Sequence, residues 1–159
     1  MRSDAPEVCG WQAVDGRAGG FVLTAGGFVV ATLELAEPGV ATVDGAGGRL
    51  LLEVQGRRVD VRDASTGAAV ARFTQRWNGR GGTVRFEDGR VACWAGPSFL
   101  CFEGSFTDAG GRRLVRFAAD GTAISYPTGA GEPGEPSGQA LVLLVLGWFL
   151  LLRSREEAG

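Results

Sequence analysis

ALVLLVLGWFLLL, Ala140 to Leu152, is a run of thirteen residues without a polar side chain, followed at once by Arg153, Ser154 and Arg155. Everything upstream is short and half-polar, broken by glycine, so this run is either the core of the fold or a segment that leaves water. It contains no proline and is rich in leucine, a strong helix former, and it is too long for an ordinary strand. As a helix it would be roughly 20 Å long, whereas a bilayer core is about 30 Å thick and needs about 20 apolar residues. Pro136 and Glu135 upstream, and Arg153, Arg155, Glu156 and Glu157 downstream, prevent any useful extension. A run of this length reads as a buried helix, and one that is apolar on every face needs protein around its whole circumference. A tail anchor is the alternative.

The remainder of the chain supplies candidates for that enclosure. Glycine is the compositional anomaly, 27 of 159 residues, scattered between apolar runs with no collagen-like period. These glycines read as the turns of a many-stranded chain. Apolar segments recur at Phe21 to Thr24, Phe28 to Leu35, Val40 to Val43 and Leu50 to Val54. Arg58 to Arg62 alternates, with Val59 and Val61 directed inward and the charges outward. Ala68 to Thr74, Thr83 to Glu87, Arg90 to Trp94, Phe99 to Phe102, Arg113 to Phe117 and Thr122 to Tyr126 continue the series. Gln55-Gly56-Arg57 and Ser65-Thr66-Gly67 are turns, Thr107 to Gly111 is a loop, and Asp88-Gly89 and Asp120-Gly121 mark hairpins, the first with a type I′ signal.

About twelve short strands at this spacing predict a mainly β fold, a closed antiparallel barrel around a central hydrophobic C-terminal helix. Eight-stranded barrels are filled by their own side chains, while an eleven-stranded can admits a helix about 10 to 12 Å across. Closure also removes the sheet edges that so many strands would leave open. The expected divisions are residues 1–19 as an N-terminal arm or edge strand, 20–128 as barrel strands, 129–138 as a Pro/Gly-rich linker, and 139–155 as the helix of the same single domain. Leu143, Leu146, Gly147, Trp148 and Leu150 are its expected core positions. Gly147 costs about 1 kcal/mol relative to alanine in a helix, which predicts the close approach of a strand or a bulky side chain there.

Composition excludes several chemistries. The chain has no histidine and no lysine, and all sixteen basic residues are arginine. Ser-His-Asp and Cys-His triads, lysine Schiff bases and the P-loop lysine are therefore absent. Cys9, Cys93 and Cys101 are odd in number and widely spaced, with no CxxC, so neither a zinc pattern nor a disulfide framework is present. Cys93 and Cys101 lie in apolar segments and are expected to be buried thiols. The N-terminal stretch MRSDAPEVCGW lacks the hydrophobic region of a signal peptide, and a reducing cytoplasm is the expected location, with membrane association through the tail as the alternative. A net charge of −2 offers no general polyanion-binding surface, and no nucleic acid partner and no cofactor or metal are expected.

The densest basic feature is Arg76, Arg80, Arg85 and Arg90 around one hairpin, beside the loop Asn78-Gly79-Arg80-Gly81-Gly82. Guanidinium forks and exposed glycine N–H groups hold phosphate well, so these arginines are the candidate site for an anionic head group. The competing reading is a solvated strand face paired to Glu87 and Asp88, and Trp77 is either an interfacial anchor or a rim residue of the core. The carboxylates Asp60, Asp63, Glu87, Asp88 and Glu103 are the candidates for an acid/base pair, or else ordinary strand and turn residues.

VDVRDASTGAAVARF (Val59 to Phe73), FTDAGGRRLVRF (Phe106 to Phe117) and the terminal ALVLLVLGWFLLLRSREE together resemble the tubby C-terminal-like superfamily, which includes the LURP-one-related proteins and the phospholipid scramblases. The resemblance spans residues 20 to 155 and lies in turn grammar and architecture. It implies a twelve-stranded barrel around a C-terminal helix, and a non-enzymatic binding or scaffold domain with an anionic lipid, a membrane surface or a protein as partner. This chain has no lysine to match the phosphoinositide pocket of tubby proteins and no acidic calcium segment beside the helix, so neither of those activities carries over residue by residue.

Overall fold

The computed structural model describes residues 7–16, 19–45, 48–76, 81–96, 103–118, 120–126 and 138–158. The first six strands are β1 (Glu7–Ala13), β2 (Gly20–Ala25), β3 (Phe28–Glu37), β4 (Val40–Gly45), β5 (Gly48–Gln55) and β6 (Arg58–Asp63). They are followed by β7 (Ala69–Gln75), β8 (Gly82–Phe86), β9 (Val91–Ala95), β10 (Gly104–Asp108), β11 (Arg113–Phe117) and β12 (Thr122–Ser125), and the helix α1 (Gly138–Ala158) ends the chain. Each strand pairs antiparallel with its neighbours in sequence, and β1 pairs with β12 from Glu7↔Ser125 to Gly10↔Thr122, which closes the barrel.

Alternation assigns one face of each strand to the interior. Cys9 and Trp11, Leu23, Ala31 and Leu33, Ala41 and Val43, Leu52, Val59 and Val61 point in and are buried, and Phe73, Val84, Trp94, Phe106, Phe117 and Ala123 continue the lining. The helix occupies the space they enclose. Val142 to Leu146, Trp148 and Phe149 are buried on all sides of α1, while Leu150 is half-buried at the rim. Its neighbours come from around the barrel: Leu141 lies against Gly45, Phe149 and Leu152 border one concavity with the end of β3, and Leu150 borders another with Val54, Val59 and Phe73. Among the described residues no helix is long and apolar enough to cross a membrane.

Small residues let large ones approach. A Cβ at Gly147 would collide with the edge of the Phe117 ring and lie 3.0 Å from Phe106, so β10 and β11 press directly on the helix backbone there. On the opposite side Trp11 stacks parallel to Trp148 with centroids 6.0 Å apart, Phe21 meets Trp148 edge-on, and Trp11 Nε1 donates a hydrogen bond to the Leu144 carbonyl at 3.3 Å. Gly104 plays the same part on β10, where a side chain would run into the Trp94 ring.

Four local expectations change. The segment expected as an arm or edge strand supplies β1, paired on both sides; its lone anchor Trp11 concealed a full strand because Gly10 and the exposed Val8 dilute the apolar pattern. A strand, β10, lies where the sequence suggested the loop Thr107 to Gly111 begins, since only Phe106 marks it as apolar, while the segment Phe99 to Phe102 lies outside the described residues. The hairpins at Asp88-Gly89 and Asp120-Gly121 form, but among the described residues no non-glycine has positive φ, so the type I′ turn, which needs it at both central positions, is absent there. Instead only the glycine turns left-handed, at φ 90° for Gly89 and 98° for Gly121, and each aspartate Oδ1 accepts a backbone N–H two residues on. The helix also runs beyond the expected 139–155 at both ends.

Candidate functional site

The arginines grouped by sequence proximity do not share one site. Arg76 follows β7 at the rim where α1 ends, and Arg90 precedes β9 at the rim where α1 begins. Between them stands the whole of β8, five residues or about 17 Å of extended chain. Arg85 lies on the outer face of that strand, and Arg80, with Trp77 and Asn78, lies outside the described residues. Closeness in sequence misled because the residues flanking a strand lie at its opposite ends.

What the sheet register does assemble is a line of charge across β5 to β8. Glu53 faces Asp60, Asp60 faces Arg72, and Arg72 faces Arg85 in successive cross-strand pairs, close enough for their side chains to interact. Asp60 is the centre of this arrangement. It points outward, as alternation requires, yet is only 4% exposed. Arg72 Nε donates to its Oδ1 at 3.0 Å, Arg58 Nε lies 3.4 Å from the same oxygen, and Arg62 Nη2 is 3.9 Å from Oδ2. The arginine stems cover the carboxylate while their guanidinium groups stay partly in water. Of the charges expected to point into solvent here, Asp60 is therefore the exception.

One carboxylate beneath three guanidinium groups leaves positive charge at the surface. The adjacent Arg85 is exposed and makes no ion pair among the described residues. Arg62, Arg72 and Arg85, with Thr74 and Thr83, border a groove of about 830 Å³ floored by Asp60, and Glu87 stands at its end. This groove, with Arg85 as its one member from the sequence-based set, is the candidate anion-binding surface. Arg58, Arg62 and Arg72 were legible as strand arginines; only counting outward from the Ser65-Thr66-Gly67 turn brings Arg72 opposite Asp60.

The candidate acid/base carboxylates are tied down elsewhere. Asp63 Oδ1 accepts the backbone N–H of Ser65 at 2.8 Å and of Thr66 at 3.2 Å, and Glu103 pairs with Arg116 at 2.7 Å. Asp88 belongs to a latch on the helix: Gln139 Nε2 donates to its Oδ2 at 2.7 Å, and Arg90 Nη1 donates to Gln139 Oε1 at 3.4 Å. The backbone N–H of Arg90 holds the Asp88 carboxyl below the usual carboxylate range, Gln139 adding to the effect and desolvation opposing it. Among the described residues no group of three or more carboxylate or thiol side chains converges as a metal site would require. Cys9 is buried inside the barrel, but Cys93 is a half-buried free thiol on the outer face, because Trp94 takes the inward position; Cys101 lies outside the described residues.

No family model, curated protein or solved structure matches this chain.

Proposed function

We propose that this protein is a non-enzymatic, cytoplasmic binding domain of the tubby-like type, and that its partner is an anionic lipid head group presented at a membrane surface. The supporting observation is the outer groove of Arg62, Arg72 and Arg85. Because α1 fills the lumen, binding falls to the exterior and the rims, and this groove brings Arg62, Arg72 and Arg85 together on the outer wall. Guanidinium forks suit phosphate oxygens, and Arg85 is exposed and ready to engage one. The tail-anchor alternative would require α1 to leave the barrel, exposing Leu144, Leu146 and Phe149 together with the strand faces that now cover them.

Co-sedimentation with phosphatidylcholine vesicles, with and without phosphatidylserine, tests the reading. Binding should require the anionic lipid, weaken as salt rises, and fall sharply in Arg85→Glu, a substitution at an exposed site that leaves the fold intact. Equal binding to neutral vesicles, or binding indifferent to salt and to Arg85→Glu, would refute it.

A further inference from the structure

The charges in line across β5 to β8 are sorted by sign: Glu53 and Asp60 on one side, Arg72 and Arg85 on the other. Facing residues in such a line stand about 5 Å apart, within reach of a single small polar group. Both ends lack a counter-charge. Arg85 is exposed and makes no ion pair among the described residues, and the half-buried Glu53 makes none either. Like charges directly opposite each other destabilise a sheet, and the arginines gathered on Asp60 leave Glu53 uncompensated.

Asp60 shows a second missing partner. Its Oδ1 accepts from Arg72 Nε, but its Oδ2 is buried and has no hydrogen bond among the described residues. Arg62 Nη2, at 3.9 Å, is too distant to donate to it. A buried carboxylate oxygen without a donor is costly, and this one belongs to the residue on the floor of the arginine groove. The oxygen calls for an N–H or O–H donor, and a cationic donor would serve Glu53 as well. The arginines beside it call for an anion.

We infer that the groove takes a phospholipid head group in which a primary ammonium lies a short carbon bridge from the phosphate. The phosphate sits between Arg72 and Arg85, and the ammonium donates to Asp60 Oδ2 beside Glu53. Arg62, its side chain 43% exposed, turns from Asp60 to the phosphate as the ammonium takes its place, so every charge keeps a partner. This inference rests on the anionic-lipid reading and narrows it to phosphatidylserine over lipids of equal charge. The quaternary ammonium of phosphatidylcholine offers no N–H and does not qualify.

Co-sedimentation of the full chain with phosphatidylcholine vesicles carrying equal fractions of phosphatidylserine or of phosphatidylglycerol tests it, since both lipids bear the same net charge and only the first has an ammonium. Phosphatidylserine vesicles should bind about tenfold more tightly, the order of one charge-assisted hydrogen bond. Asp60→Asn should abolish that preference while binding to phosphatidylglycerol holds or rises, because the arginines keep their charge. Glu53→Gln breaks no ion pair, so the variant folds, and it should lower the preference too. Equal binding of the wild-type chain to the two lipids, or a preference unchanged in both variants, would overturn this inference and leave the anionic-lipid reading standing. Binding to neither vesicle would overturn both. Saturable calorimetric binding of free phosphoserine in that last case would assign the groove to a soluble phosphate and exclude the lipid source.

Discussion

Replacing Gly147 by alanine sets two effects of opposite sign against each other. In an exposed helix the substitution stabilises by about 1 kcal/mol, because glycine surrenders more backbone freedom on folding. Here the new methyl group would collide with Phe117 and meet Phe106 at 3.0 Å, and both rings are 0% exposed, with no solvent side to swing toward. Overpacking a core of this kind costs about 1 to 3 kcal/mol, and a contact this close belongs at the upper end. The clash should win by about 1 to 2 kcal/mol, lowering Tm by about 2 to 8 °C for a chain of this size. Thermal unfolding followed by circular dichroism reads the difference. Phe117→Leu makes room for the methyl group, so the double substitution should cost less than the sum of the singles, with a coupling of about 0.5 to 3 kcal/mol. A Tm that rises in Gly147→Ala, or strict additivity with Phe117→Leu, would mean that this helix face does not rest on β11.

Two further outcomes follow from the charges. Asp60→Asn should destabilise by about 1 to 2 kcal/mol in urea, less than the 3 to 5 kcal/mol of a fully buried broken pair, because Arg58, Arg62 and Arg72 are 39 to 58% exposed and water compensates them. The loss should be largely shared with Arg72→Ala, so that the double variant is far from additive. Asp88 has a folded-state pKa below its ordinary value of 3.8, so it binds fewer protons folded than unfolded. Its contribution is complete above that ordinary value and is lost as pH falls through the lower, folded one. Asp88→Asn should therefore lose stability relative to wild type at pH 6 and converge with it under strong acid, measured by urea unfolding across that range; a difference independent of pH would refute the latch as an ionic contact.

The helix was legible because thirteen apolar residues bounded by Pro136 and Arg153 leave few alternatives, and the barrel because hairpin signals recur at even spacing. Gly147 stood out for a reason internal to the sequence, a poor helix former retained in a strong helix, although nothing in the run named Phe117 as its neighbour. What escaped was information carried by pairing. The burial of Asp60 depends on Arg72 arriving opposite it across a turn, and alternation specifies a face without specifying what covers it. β1 and β10 escaped because each has few large inward residues, Trp11 with Cys9 in one and Phe106 beside Gly104 in the other.

The central claim is that α1 is the axle of the barrel, and truncation of the chain after Gly138 addresses it most directly. Val142 to Leu146, Trp148, Phe149 and Leu151 are each nine-tenths buried or more, and each contributes about 1.5 to 3 kcal/mol on burial, together comparable with or larger than the roughly 5 to 15 kcal/mol by which a domain is stable. Their loss would also expose the inward faces that now cover them. Size-exclusion chromatography with thermal unfolding of the truncated chain should show aggregation or an expanded species without a cooperative transition. A monomeric product that unfolds cooperatively near the full-length Tm would contradict the account.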